Sequence, residues 1–204
     1  YLTEDGALQS EVSELTNSYS SYISDPSAPV PYYPDIASRR KSDYLIIGQE
    51  FVEDREDVLT FMSPVLSEDM IVAGGITAEL FASISTTDAD FVVKLIDVGP
   101  NGESEMMVRA NIMRGRYRNS FSEPEAFTPG MVERIEVNLT DVAHTFLAGH
   151  RIKVQVQSSW FPLFDRNPQQ FIDIYKAGKA DFIPSQIKIF HDAEHPSAIR
   201  FRTM

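Results

Sequence analysis

His150-Arg151-Ile152-Lys153-Val154-Gln155-Val156-Gln157-Ser158-Ser159-Trp160 alternates apolar and polar residues more regularly than any other stretch of the chain. Successive side chains of a strand point to opposite faces. A period of two therefore turns Ile152, Val154 and Val156 inward and Arg151, Lys153, Gln155 and Gln157 outward. One buried face and one polar face are the mark of a sheet packed on a core.

The same reading extends upstream. Met131 to Leu139 alternates, with Glu133, Ile135, Val137 and Leu139 opposed to Val132, Arg134, Glu136 and Asn138. Ile76 to Ser85 places Ile76, Ala78, Leu80, Ala82 and Ile84 on one face. Strands are also expected at Tyr19–Ser24, Asp57–Met62, Phe91–Val98, Met106–Tyr117, Gln186–His191 and Ala198–Arg202. Gly99-Pro100-Asn101-Gly102 is a tight-turn signal that sets up a hairpin resuming near Glu105.

Breaks fall between these runs. Asp25-Pro26-Ser27-Ala28-Pro29-Val30-Pro31 is an extended connector, because proline cannot donate to a ladder. From there to Lys41 the text is irregular. Ser63-Pro64 ends a strand, and Pro124 to Gly130 is a loop. Thr140 to Leu147 predicts a helical turn capped by Thr140 or Asp141 and closed by Gly149. Pro168 to Tyr175 predicts a short helix. Nine or ten strands with almost no helix argue for an all-β sandwich, and the long connections favour jelly-roll topology over a meander. No internal repeat suggests a propeller or solenoid.

The chain has 204 residues and a formal net charge of −12. That length suits one all-β domain spanning 1–204. The acidity opposes binding to phosphate backbones and to anionic membranes. No apolar run approaches the roughly 20 residues of a membrane-spanning helix. With no Cys there is no disulfide framework and no thiolate nucleophile. The absence of Cys leaves the compartment open, and export to the periplasm or beyond is the working expectation.

No two glycines frame a Gly-x-Ser-x-Gly nucleophile elbow. His191-Asp192-Ala193-Glu194-His195 has the i, i+4 histidines of a zinc helix, but it follows a strand and meets Pro196. A structural turn is the better reading, with no metal and no cofactor expected. In Phe164-Asp165-Arg166-Asn167, adjacent Asp165 and Arg166 point to opposite faces and cannot pair with each other. Asp165 is expected to accept backbone N–H groups, and Asn167 to take a left-handed turn. Asp88-Ala89-Asp90 reads as a turn into an inner strand, with calcium binding a lesser alternative. Tyr32, Tyr33, Trp160 and Phe161 fall at strand ends or in loops. They suit core packing, a domain interface or cleft, or a sugar-stacking platform. Asn138-Leu139-Thr140 is a sequon of the kind that arises by chance.

Several co-ordered strings carry a family likeness: the Asp25 to Pro31 connector, Arg55 to Leu59, Gly75 to Ala78, Asp90 to Val98, and Arg114 to Arg118. Ala148 to Ile152, Ser158 to Asn167 and Ile189 to Ser197 follow, ending in His195-Pro196-Ser197. In this order they resemble the C-terminal jelly roll of the Xaa-Pro dipeptidyl-peptidase, cocaine esterase and α-amino acid ester hydrolase family. The resemblance implies a galactose-binding-like sandwich that does no bond-breaking, in a bacterial serine hydrolase. It implies an α/β-hydrolase core and a helical cap upstream of Tyr1, on which the jelly roll packs to close one side of the substrate cleft. This chain alone is then expected to be inactive, its partners being its own upstream domains and, through the intact enzyme, a peptide or ester substrate. It further implies structural roles for Asp90, Asp165, Arg166, Asn167, His191 and His195, and an interface or cleft-facing role for Tyr32, Tyr33, Trp160 and Phe161. Where relatives continue after Pro31 with a Gly-Gly loop, this chain has the stiffer Tyr32-Tyr33-Pro34-Asp35. A carbohydrate-binding module is the alternative from another class.

Overall fold

Alternating apolar residues build nine strands in the computed structural model, which describes residues 1–35 and 39–204. The irregular stretch expected up to Lys41 thus lies partly outside the described residues. The strands are β1 (Tyr19–Ser24), β2 (Leu59–Met62), β3 (Met70–Ile84), β4 (Asp90–Val98), β5 (Glu105–Arg114), β6 (Glu133–Phe146), β7 (Arg151–Gln157), β8 (Ser185–Phe190) and β9 (Ala198–Arg200).

They form two antiparallel sheets, ordered β1-β8-β3-β6 with β9 also on β3, and β2-β7-β4-β5. Strands distant in sequence lie side by side, as in a jelly roll. Ile76, Ala78, Leu80, Ala82, Ile84, Ile135, Val137, Leu139, Ile187 and Ile189 of one sheet meet Phe61, Phe91, Val93, Leu95, Ile152, Val154 and Val156 of the other. Each of these side chains larger than alanine contributes about 2 kcal/mol by leaving water.

Four expectations are corrected. Thr140 to Leu147 is not a helical turn: β6 continues to Phe146, because β3 begins at Met70 and supplies its hydrogen-bonding partner. Leu139 is the extra residue of a bulge there, with Thr140 at φ 71 and its N–H donated to Asn138 Oδ1 at 2.7 Å. Pro168 to Tyr175 is not a helix either. Its carbonyls at Gln170 and Ile172 accept from Arg116, and the Phe171 N–H reaches Thr87 Oγ1, so the groups a helix would pair are taken. The strand expected to run to Tyr117 stops at Arg114, where Gly115–Tyr117 makes a 3-10 turn. A Cβ on Gly115 would sit 2.6 Å from both Ala89 O and the Phe127 ring, so only glycine fits. Finally, the polar face of β7 is not solvated: Lys153, Gln155 and Gln157 are fully buried.

The last correction has a specific cause. Residues 39–58 form a strap with 3-10 turns at Ser42–Leu45 and Glu50–Val52, laid over the outer face of the β2-β7-β4-β5 sheet. Central strands β4 and β7 are thereby buried on both faces.

Candidate functional site

Two neighbouring features stand out: the loop end near Asp90 and the aromatic layer under the strap. At the loop end, Asp90 and Arg114 lie opposite each other in the β4–β5 register, and Arg114 grips the carboxylate with two N–H bonds of 3.2 Å. Two residues beyond that pair, just outside the two strands, Arg116 holds Asp88 at 2.7 Å. Asn167 Nδ2 donates to both carboxylates, at 2.9 Å to Asp88 and 2.8 Å to Asp90, and Asn167 Oδ1 accepts from the Gln169 N–H. Arg114 also reaches Asp165 O, Arg116 the carbonyls of Gln170 and Ile172, and Gln169 Nε2 the carbonyl of Ser24. One polar knot thus ties together four segments of chain. Burial, outweighing the attraction of Arg114, raises the Asp90 carboxyl to about 6.

Asp165 and Asn167 do this work differently from the expectation. The Asp165 side chain is exposed, and it is the carbonyl that is used. Asn167 bridges carboxylates, while the left-handed residue is Gln169 at φ 63. Arg166 donates to Pro26 O at 2.7 Å and lies between the Phe161 and Phe182 rings, 5.6 and 4.9 Å from their centres.

The aromatic layer begins where Tyr32 N–H donates to Phe161 O and Phe161 N–H to Val30 O, both 2.9 Å. This places Tyr32 beside Trp160. Tyr32, Tyr44 and Trp160 pack in series, with ring centres 5.8 and 5.9 Å apart, against Val92 and Met107 of the sheet. Tyr33 is half-buried and bonded to Asp43 at 3.1 Å, and Phe161 is exposed. Tyr32 and Trp160 are each only 4% exposed, too little for either to stack on a sugar. Exposed aromatic surface is supplied instead by Phe121, Phe161, Phe164, Phe171 and Tyr175 in the loops between β5 and β6 and between β7 and β8.

His191 and His195 follow β8, whose last residue, Phe190, pairs with Phe81 of β3. His191 is buried, with Ser18 Oγ 3.0 Å from Nδ1 and Ser20 Oγ 3.1 Å from Nε2, and burial lowers its pKa. Asp192 Oδ1 accepts the N–H groups of Glu194 and His195, making a tight turn. The His195 ring packs on Phe81 and Phe190. Among the described residues no group of three His, Cys, Asp or Glu side chains is arranged to hold a metal ion.

Sequence reasoning missed two buried lysines. Lys94 Nζ bonds Gln49 Oε1 at 2.9 Å, and Lys153 Nζ bonds Glu105 at 2.5 Å and Glu53 at 2.9 Å. No local signal distinguishes them from solvated lysines. The carboxylate–guanidinium knot did have one: Asp88-x-Asp90 and Arg114-x-Arg116 carry opposite charges at matching spacing where two paired strands meet their loops.

Fold and site define a class: a jelly-roll sandwich with loops locked at one end and its outer sheet face covered. The chain belongs to the X-Pro dipeptidyl-peptidase C-terminal non-catalytic domain family, whose profile matches residues 4–200. It is 34% identical over 197 residues to cocaine esterase of Rhodococcus sp. (strain MB1 Bresler), an alignment covering 97% of this chain and 34% of the esterase. It matches the crystal structure of an aminopeptidase from the marine sediment archaeon Thaumarchaeota archaeon with a TM-score of 0.95 and 41% identity, over 100% of this chain and 36% of that one. An α-amino acid ester hydrolase gives 0.93 and 36% identity, over 100% and 36% of the respective chains. The chain thus spans about a third of the length of these relatives.

Proposed function

We propose that this chain serves a serine hydrolase as a packing and cleft-shaping domain, seated on an α/β-hydrolase core and cap. The loop end and the strap are the contact surfaces in this reading. The observation that carries it is the knot of Asp88, Asp90, Arg114, Arg116 and Asn167, which fixes loops bearing exposed Phe121, Phe161, Phe164, Phe171 and Tyr175. Exposed aromatics on a preorganised surface bind a partner with little entropy left to lose. Shape is then the mechanism: a rigid sandwich excludes water from one side of a cleft and limits what fits in it. The absence of a Gly-x-Ser-x-Gly motif from the chain agrees with this division of labour. The parent's substrate, whether peptide, ester or amide, is set by the catalytic domain together with this surface.

The test is calorimetric titration of this chain with a separately produced hydrolase-plus-cap fragment, with turnover of an activated ester followed in parallel. Binding accompanied by a rise in turnover is the expected result. No binding and unchanged turnover would remove the proposal, as would labelling of a serine of this chain by an activated phosphonate.

A further inference from the structure

Lys94 sits on the outer face of the β2-β7-β4-β5 sheet, directly paired with Gln155 and sealed beneath the strap. Its ammonium donates only to neutral oxygens, Gln49 Oε1 at 2.9 Å and Gln155 Oε1 at 3.4 Å. The nearest carboxylate is committed elsewhere: Glu105 Oε1 accepts from Lys153 and Oε2 from the Gln49 N–H. Among the described residues Lys94 therefore has no ion-pair partner, whereas Lys153 has two.

The surrounding polar atoms have the same bias. Among the described residues, Gln155 Nε2 and Trp160 Nε1 are buried donors without an acceptor, Gln157 Oε1 is a buried acceptor without a donor, and the hydroxyl of Thr60, the β2 residue paired with Gln155, has no partner either. Gln155 and Gln157 are alternate residues of β7 on the Lys94 side, and the Trp160 ring centre lies 5.9 Å from Lys94 Nζ. Donors outnumber acceptors around a buried cation, and each unsatisfied donor costs about 1–3 kcal/mol. A water molecule accepts from two donors but brings two hydrogens of its own, so it leaves the excess of donors unchanged. An anion accepts from several donors and brings none.

We propose that Lys94, Gln155 and Trp160 form a binding site for a small inorganic anion of halide size beneath the strap. Burial lowers the Lys94 ammonium to about 7, and an anion in contact would hold it in the charged form. The site would anchor the strap through a counter-ion that no side chain provides.

Trp160 is the only tryptophan, so its fluorescence reports on the site directly. In the wild-type chain, quenching by iodide is expected to saturate, whereas quenching by neutral acrylamide stays linear. Chloride is expected to raise the melting temperature above that in gluconate at equal ionic strength. Lys94→Met should weaken the iodide affinity at least tenfold and abolish the chloride-specific shift. Should that variant not fold, crystals of the wild-type chain grown in bromide decide the matter, through an anomalous peak within hydrogen-bond distance of Lys94 Nζ. Linear iodide quenching with no chloride-specific stabilisation, or a water molecule in place of the bromide peak, would overturn the proposal.

Discussion

Asn167 shows how one side chain can hold a surface together. Its amide gives two N–H bonds to two carboxylates and its oxygen takes a third bond from the backbone. Asn167→Leu removes the donors and leaves Asp88 and Asp90 buried beside each other with less compensation. The expected cost is about 2–4 kcal/mol, read as a lowered denaturant midpoint at constant m-value. Asp90 also gives a pH dependence. Its folded pKa of about 6 lies above the unfolded value near 4, so the folded state binds the extra proton between those limits. Its contribution is therefore full below pH 4 and is lost as pH rises to 6, by about 3 kcal/mol. Asp90→Asn should remove that slope from the stability profile, and an unchanged slope would assign it to other groups. Lys94 acts at higher pH. Its folded pKa of about 7 lies below the unfolded value near 10.5, so the unfolded chain binds the extra proton. Without halide, stability relative to Lys94→Met should then rise from pH 7 towards pH 10, by roughly 1.4 kcal/mol per pH unit. Lys153, Glu105 and Glu53 are the charged groups facing this site from β7, β5 and the strap.

Among the elements, β7 is the clearest test of register. Val154 pairs with Phe61 of β2 and Leu95 of β4 and is buried in the main core. Val154→Asp introduces a carboxylate with no partner, at an expected cost of at least about 3 kcal/mol, measured by chemical denaturation. A variant as stable as the parent would mean that the inward face is wrongly assigned. The alternation of β7 was legible because its inward face obeys the binary pattern. Burial of its other face was not, because Lys153, Gln155 and Gln157 look like solvent-facing residues until the strap arrives. The extension of β6 past Asn138 was equally hidden. Its hydrogen-bonding partner is Met70–Gly75, a stretch whose two adjacent glycines give no strand signal.

For the molecule as a whole, the two larger hydrophobic clusters share one sheet. Phe91, Val93 and Leu95 face the main core, while Val92 faces the Tyr32–Tyr44–Trp160 cluster from the same strand. The outer layer has few apolar residues of its own and depends on that strand for support. Unfolding should therefore be a single transition, with Trp160 fluorescence and far-ultraviolet circular dichroism coincident. Two separated midpoints would show that the strap melts independently. A second tie acts at the far end from the loop knot, where Asp97 of β4 accepts from His144 of β6 at 2.8 Å and from His150 ahead of β7 at 2.7 Å. It links the two sheets across the sandwich.

The all-β class, most strand positions, the inward faces of β3, β6 and β7, and the family likeness can all be read along the chain. These depend on residues near one another along the chain, where a period of two and a turn signal suffice. Long-range packing is what buries Tyr32 and Trp160, sets Asn167 between two carboxylates, and lays a strap over Lys94 and Lys153. Those outcomes depend on which distant segments meet. Burial of a polar side chain is a property of what covers it, and the covering residues lie 45 positions from Lys94 and 100 from Lys153.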